Sequence, residues 1–434
     1  MATLKGLPVH PGAEGTLFLE DPFAPPLGEP AGKIGPAVLA SPALPESPAN
    51  HRPVEDVVVV GGGPAGLASA IRLAERGFPV RVLEIREEAY QRPHHLNLRQ
   101  ATLDSLEALG VLDRVMERSG PIQREESLHT GEIRTPQAES LVRGRIGFNA
   151  RRLLGSDSVV QVRISDVEDA LHERALELGV KVEKGWRADL EQVREGPEAG
   201  MFRLVAERVR RDGREGFQPT GETRDLGVPG LVLLAEGTNS PTRAKLGIEF
   251  EELSEPTWFL GGHVETGLGP VVRKALRTGE DGTVRKLMAT GHGHYPQTWV
   301  SVQCRPELAR APHEERVQEL CEQASFLLNT RLRPEDIRWG AGLVTVVQNR
   351  QADQAHAGLN VLLVGDTVRS GSVWASGGIN LALGVDTDHV TTLVDEVNSG
   401  SRSRTRAMAA YDRKIAHATR AWHEAGDFQE DRRA

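Results

Sequence analysis

The chain opens with no regular alternation of apolar and polar positions, and then changes character abruptly. Residues 1–53 carry Pro8, Pro11, Pro22, Pro25, Pro26, Pro30, Pro36, Pro42, Pro45, Pro48 and Pro53 among Gly, Ala and Glu. Such a stretch buries too little apolar surface to offset its ordering entropy, so it is expected to be an arm or strap and not a domain. Val57–Val60 is then a continuous β-branched run, the mark of a strand covered on both faces. Residues 61–66 turn the chain, residues 67–76 read as a helix stopped by Gly77, and residues 80–83 form the next strand. This βαβ unit predicts the start of a parallel, doubly wound sheet.

Further on, residues 100–118 read as a helix with Leu103, Leu106, Leu109 and Val111 on its apolar side. Residues 166–178 read as a second, with Gly179 as its stop, and residues 180–182 return as a strand. From 186 to 230 strands alternate with charged turns, and Leu231–Leu234 is another buried strand. The runs at 258–264 and 299–303 predict a mostly antiparallel sheet, followed by an amphipathic helix at 312–328 and strands at Leu343–Val347 and 361–364. Helices at 379–397 and 404–424 close the chain, the last highly charged. The expected division is an arm at 1–53, a nucleotide-binding body at 54–185 with later parts at 231–250 and 351–398, a substrate sheet at 186–230 and 251–350, and a C-terminal helix at 399–434.

Composition narrows the function without identifying it. The 434 residues exceed one ordinary core, and 39% hydrophobic with 26% charged residues fits a globular protein. A net charge of -9 argues against a nucleic-acid binder and against docking on an anionic membrane by charge. No apolar run spans a bilayer and no secretory signal layout is seen, so the expected location is the cytoplasm. Two cysteines, Cys304 and Cys321, are too few for a disulfide framework and do not form a redox pair. Nothing in the sequence speaks to oligomeric state.

The chemistry is concentrated at two turns. Gly61-Gly62-Gly63-Pro64-Ala65-Gly66 follows a strand and opens a helix, with Glu84 ending the next strand and Ile85 and Arg86 behind it. Gly61 permits the tight turn, Gly63 lets backbone N–H groups approach a pyrophosphate, and Gly66 lets helix and strand pack closely. Glu84 is suited to accept from ribose hydroxyls, and the helix N-terminus favours phosphate. Far downstream, Gly365 and Asp366 follow a second apolar strand and lead to Gly377, Gly378, Ile379 and Asn380 at a helix start. Asp366 is placed for a ribityl hydroxyl, and the glycine pair for a flat ring. An NAD dehydrogenase needs only the first turn, so the second points to FAD.

With these motifs the chain resembles the single-component flavoprotein aromatic hydroxylases related to para-hydroxybenzoate hydroxylase. The likeness runs over residues 55–395 and rests on the turn at 61–66 with Glu84, on Arg99, on Arg163, on the stretch from Glu236 and Gly237 to Arg243, and on Gly365-Asp366 with Gly378 and Asn380. It implies an α/β fold: a doubly wound Rossmann-like FAD-binding domain interleaved with a mostly antiparallel substrate domain, with C-terminal helices. It also implies flavin contacts at Arg99 and Arg163. The implied reaction uses NADPH or NADH to reduce FAD, adds O2 at flavin C4a, and passes one oxygen from the hydroperoxide to a small organic substrate. One acid or base suffices for such chemistry, and His263, His292, His294 and Tyr295 lie in the expected substrate sheet. Trp258, Trp299 and above all Trp374 are candidates to wall its pocket.

Three positions depart from the family pattern. Glu236 stands for an Asp, Thr367-Val368-Arg369 and Ser372-Val373-Trp374 replace an Ala-Ala-His run and a proline, and Asp386 falls one residue late. These leave open a redox-neutral cyclase, an oxidase or a non-catalytic FAD-binding regulator on the same fold.

Overall fold

The computed structural model describes residues 48–87, 95–98, 100–118, 120–121, 124–129, 132–134, 160–211, 216–269, 271–278, 284–291, 297–337, 342–371 and 378–431. At its centre is a six-stranded sheet in the order His356–Ala357, Val361–Leu363, Leu231–Leu234, Val57–Val60, Val80–Glu84, Lys181–Lys184. All its pairs are parallel except the short antiparallel edge at His356–Ala357. Val57–Val60 and Leu231–Leu234 are buried at every position, which their unbroken apolar sequences require of strands covered on both faces.

Helix Pro64–Ala74 packs against this sheet, and helices Ile164–Glu177 and Asp386–Asn398 pack against that helix. The helix expected across 100–118 is two, Gln100–Ala108 and Leu112–Arg118. Gly110 breaks it by taking φ +70, a left-handed conformation that no helix interior allows.

A second, seven-stranded sheet is antiparallel but for one pair, in the order Leu343–Val347, Thr257–Val264, Thr298–Cys304, Val284–Gly291, Val271–Thr278, Arg124–His129, Glu132–Arg134. Helix His313–Leu328 covers it, burying Val317, Leu320, Ala324 and Leu327 at helical spacing. These residues form a core with Leu260, Leu287, Val300 and Val302 that is separate from the core of the parallel sheet.

The structure redraws two expected boundaries. Strands Trp186–Gln192, Phe202–Arg211 and Phe217–Asp225 make a sheet of their own. Their Trp186, Leu190, Phe202 and Leu204 join the parallel-sheet core and not the seven-stranded one. Conversely, Arg124–His129, expected with the nucleotide-binding body, adds to the seven-stranded sheet beside Val271–Thr278. Residues 48–53, grouped with the arm because of their prolines, are docked. Ala49 is buried with Met201 and Leu359, and Arg404 donates to the Arg52 and Pro53 carbonyls at 2.7 and 3.0 Å.

Candidate functional site

Three turns meet where the parallel strands end. The turn after Val57–Val60 leaves with Gly61 at φ +109, where a side chain would also overlap the Ala235 carbonyl. A Cβ on Gly66 would strike Gly61, Val59 and Ala235, and one on Gly365 would stand 2.6 Å from the Ala65 methyl. The turns at 61–66, 235–237 and 365–367 are thus stacked in direct contact. Thr367 binds the latter two: its Oγ1 accepts from the Gly237 amide at 2.9 Å, and its carbonyl accepts from Arg243 Nη1 at 3.3 Å.

Against this packing, two glycines face open space. A Cβ on Gly63 or Gly237 would meet nothing within 4 Å. No side chain caps the N-terminus of helix Pro64–Ala74. Its first N–H groups and partial positive charge therefore fit a pyrophosphate. Asp366 is exposed between buried Gly365 and Thr367, so its carboxylate stands out of the cluster. These observations fit a dinucleotide laid across the strand ends.

Glu84 ends its strand with both oxygens engaged. Oε2 accepts from the Gly62 amide at 2.6 Å, and Oε1 accepts from Arg86 N at 3.0 Å and Nε at 2.6 Å. Burial by itself would raise its pKa, but the Arg86 and Gly62 hydrogen bonds outweigh it and hold the carboxyl below the ordinary range.

Glu236 behaves differently. Its carboxylate accepts from Ser240 Oγ at 2.5 Å, Thr242 Oγ1 at 2.9 Å and Thr242 N at 3.3 Å, and burial pushes its pKa up. The longer side chain braces its own turn, and the open position there belongs to Gly237. Arg243 lies over the Phe250 ring at 3.7 Å, with its guanidinium pushed down to about 10 by burial.

Behind Gly365 lies a buried ion pair that the motifs alone do not reveal. Arg369 donates Nη1 and Nη2 to the Asp386 carboxylate at 3.0 and 2.6 Å, and Nε to Thr419 Oγ1 at 2.9 Å. Asp386 Oδ2 also accepts from the Gly365 amide at 2.8 Å. Burial opposes the Arg369 charge, but Asp386 outweighs it and the pKa is raised. The one-residue delay of Asp386 has a local cause. Gly378–Asn380 begins as α-helix, Leu381–Val385 is π-helix, and Asp386–Asn398 resumes as α-helix. A π turn takes one residue more than an α turn, so it absorbs the extra position and brings the carboxylate under Gly365.

The other anticipated residues that are described lie on other elements. Arg163 ends the strand Val160–Arg163, with its guanidinium 3.8 Å from Asp166, whose pKa burial raises. His263 is buried in the seven-stranded sheet opposite Trp299, with ring centroids 5.1 Å apart. Trp299 also lies across Gly261, where a side chain would overlap its indole. Arg99, His292, His294, Tyr295, Trp374 and Gly377 lie outside the described residues. Sequence reasoning missed the bracing roles of Arg369 and Thr367. The available signal for the first was a charged residue trailing the buried run at 361–364.

Comparison with known proteins identifies the family and the fold. The model of a family described as an FAD binding domain matches residues 55–425. A stretch of 68 residues is 38% identical to a 3-(3-hydroxy-phenyl)propionate/3-hydroxycinnamic acid hydroxylase of Mycolicibacterium gilvum (strain PYR-GCK), covering 16% of this chain and 12% of that protein. A stretch of 205 residues is 28% identical to a 6-methylpretetramide 4-monooxygenase of Streptomyces rimosus, covering 47% of this chain and 32% of that one. The matches thus span a third or less of those relatives' lengths.

Among solved structures, p-nitrophenol 4-monooxygenase from Pseudomonas putida DLL-E4 superposes with a TM-score of 0.64 at 19% identity, over 84% of this chain and 85% of that one. A 2-methyl-3-hydroxypyridine-5-carboxylic acid oxygenase does so with 0.63 at 20% identity, over 87% and 92%. At such identities the likeness is one of fold.

Proposed function

The chain belongs to the FAD-binding-domain family, and from that premise we propose that it is an FAD-dependent monooxygenase hydroxylating or epoxidising a small organic substrate. The convergence of three turns on one line of strand ends, with Gly63 and Gly237 open above it, carries the reading. The hydroxylase and monooxygenase names of its relatives support the reaction type.

In this reading Glu84 holds the adenosine ribose, with Ile85 and Arg86 behind it. Gly61, Gly63, Pro64, Ala65 and Gly66 receive the pyrophosphate, with Gly237 closing its far side. Asp366 holds the ribityl chain, and Gly378, Ile379 and Asn380 meet the ring. The bound flavin supplies electron transfer to O2 and oxygen transfer to substrate. The protein binds, orients and excludes water, which is why no dense catalytic constellation is needed. The parallel sheet with residues 186–225 forms the cofactor half, and the seven-stranded sheet forms the substrate half. We place this activity in the cytoplasm; no helix of the described residues is long and apolar enough to cross a membrane.

Overall, NAD(P)H, H+, O2 and substrate R–H give NAD(P)+, H2O and R–OH. The test is oxygen uptake with NADPH or NADH over a panel of phenols, including 3-(3-hydroxyphenyl)propionate and p-nitrophenol, with 18O2 labelling. Substrate-stimulated uptake with label in the product is the expected result. A flavoprotein that converts a substrate while consuming neither O2 nor reduced nicotinamide is instead a redox-neutral enzyme.

A further inference from the structure

The C-terminal helix Arg404–Asp431 follows the chain out of the Val361–Leu363 strand one turn at a time. Tyr411 Oη donates to the Leu363 carbonyl at 2.7 Å, Thr419 Oγ1 accepts from Arg369, and His423 Nε2 lies 3.3 Å from the Ser370 carbonyl. Positions 411, 415, 419 and 422–423 share one helical face, so the helix is pinned along its length.

At the end of that face stands Trp422. Its Cη2 is 2.5 Å from where a Cβ on Gly371 would sit and 3.7 Å from one on Gly378. The indole therefore fits only because residue 371 is glycine, and it lies within ordinary contact distance of Gly378. Its Nε1 is buried and has no hydrogen-bond partner among the described residues. A buried tryptophan N–H usually has an acceptor, and none of the described residues supplies one.

Location identifies what is missing. Glu84, the turn at 61–66 and Gly365–Asp366 lie in order along the strand ends, the helix opened by Gly378 contacts the turn at 365–367, and the cofactor assignment above puts the adenosine at the first and the ring at Gly378. Trp422 borders Gly378. We propose that the Trp422 indole N–H donates to an acceptor on the isoalloxazine of the bound flavin, which makes the C-terminal helix part of the cofactor site. This rests on the FAD-binding reading but on no particular reaction.

The test uses full-length, flavin-stripped protein with 15N-labelled tryptophans and Trp422→Phe to assign the indole resonance. ADP carries the adenosine and pyrophosphate, and FAD adds the riboflavin. ADP should leave the Trp422 N–H signal in place while FAD shifts it. Trp422→Phe should weaken FAD by roughly five- to tenfold, the loss of one hydrogen bond, and leave ADP affinity unchanged. If FAD binds and the signal stays, or if ADP moves it as far as FAD does, the proposal is overturned. An equal loss of ADP and FAD affinity in the variant overturns it too, since that reports damaged packing. If the wild-type protein binds neither ligand, the FAD-binding reading itself fails.

Discussion

Glu84 illustrates how one residue's surroundings prepare it for a ligand. With Gly62 N on one oxygen and Arg86 on the other, it is held in place before any ribose arrives, and Oε2 keeps a lone pair free. Losing a charge-assisted hydrogen bond costs on the order of 1.5–3 kcal/mol. Glu84→Ala should therefore weaken FAD binding at least about tenfold in a titration of the apoprotein. The pH dependence has a definite sign. A carboxyl lowered in the folded protein contributes stability above its unfolded pKa and loses it as pH falls through the folded value. Since Glu84 is lowered from an ordinary value of 4.5, its part of FAD retention should stay flat from neutral pH into the ordinary carboxylate range and fail only in stronger acid. Flavin release tracking a transition near neutrality would point to another group.

Between elements, the Arg369–Asp386 pair joins the second turn, the π segment and the C-terminal helix. Breaking a buried pair from one side leaves an uncompensated charge, at a cost of about 3–5 kcal/mol, whereas apolar replacement of both partners is far cheaper. Arg369→Met alone should show that loss in urea unfolding, and Arg369→Met with Asp386→Leu should regain at least about 1 kcal/mol of it. At the N-terminus, Asn50 Oδ1 accepts from Thr405 N and Oγ1 at 2.9 and 3.0 Å, capping the C-terminal helix from a distant segment. Asn50→Ala should cost about 1 kcal/mol, read as a lowered Tm.

These long-range ties also mark the limit of what sequence can reveal. The turn at 61–66 and the buried strands were legible because each is written in adjacent residues. Asp386 looked misplaced because a π turn cannot be read from residue spacing alone. Trp422 was hidden in a helix whose charged composition suggests a solvated surface, and Asn50 in a stretch rich in proline. Each takes its meaning from a partner far along the chain.

At the scale of the whole molecule the described residues build two large cores and a small cluster around Ala49, and both cysteines belong to the second core. Cys304 ends a central strand of the seven-stranded sheet, and Cys321 lies on the helix that covers it. Burial is the chief cause that pushes the Cys304 thiol up to about 12, and it raises Cys321 as well. Since the thiolate is the reactive form, about one Cys304 in ten thousand would be ionised at pH 8. The surrounding Leu260, Val302, Val317 and Leu320 also deny a reagent access. Both thiols should therefore be silent to a disulfide reagent in the native protein, and both should react promptly in concentrated urea. Because only the second core contains cysteine, their exposure at intermediate urea measures the opening of the seven-stranded sheet, while flavin release measures the opening of the first core. A native thiol that reacts as fast as an exposed one at pH 8 would mean that the helix His313–Leu328 is not seated on its sheet.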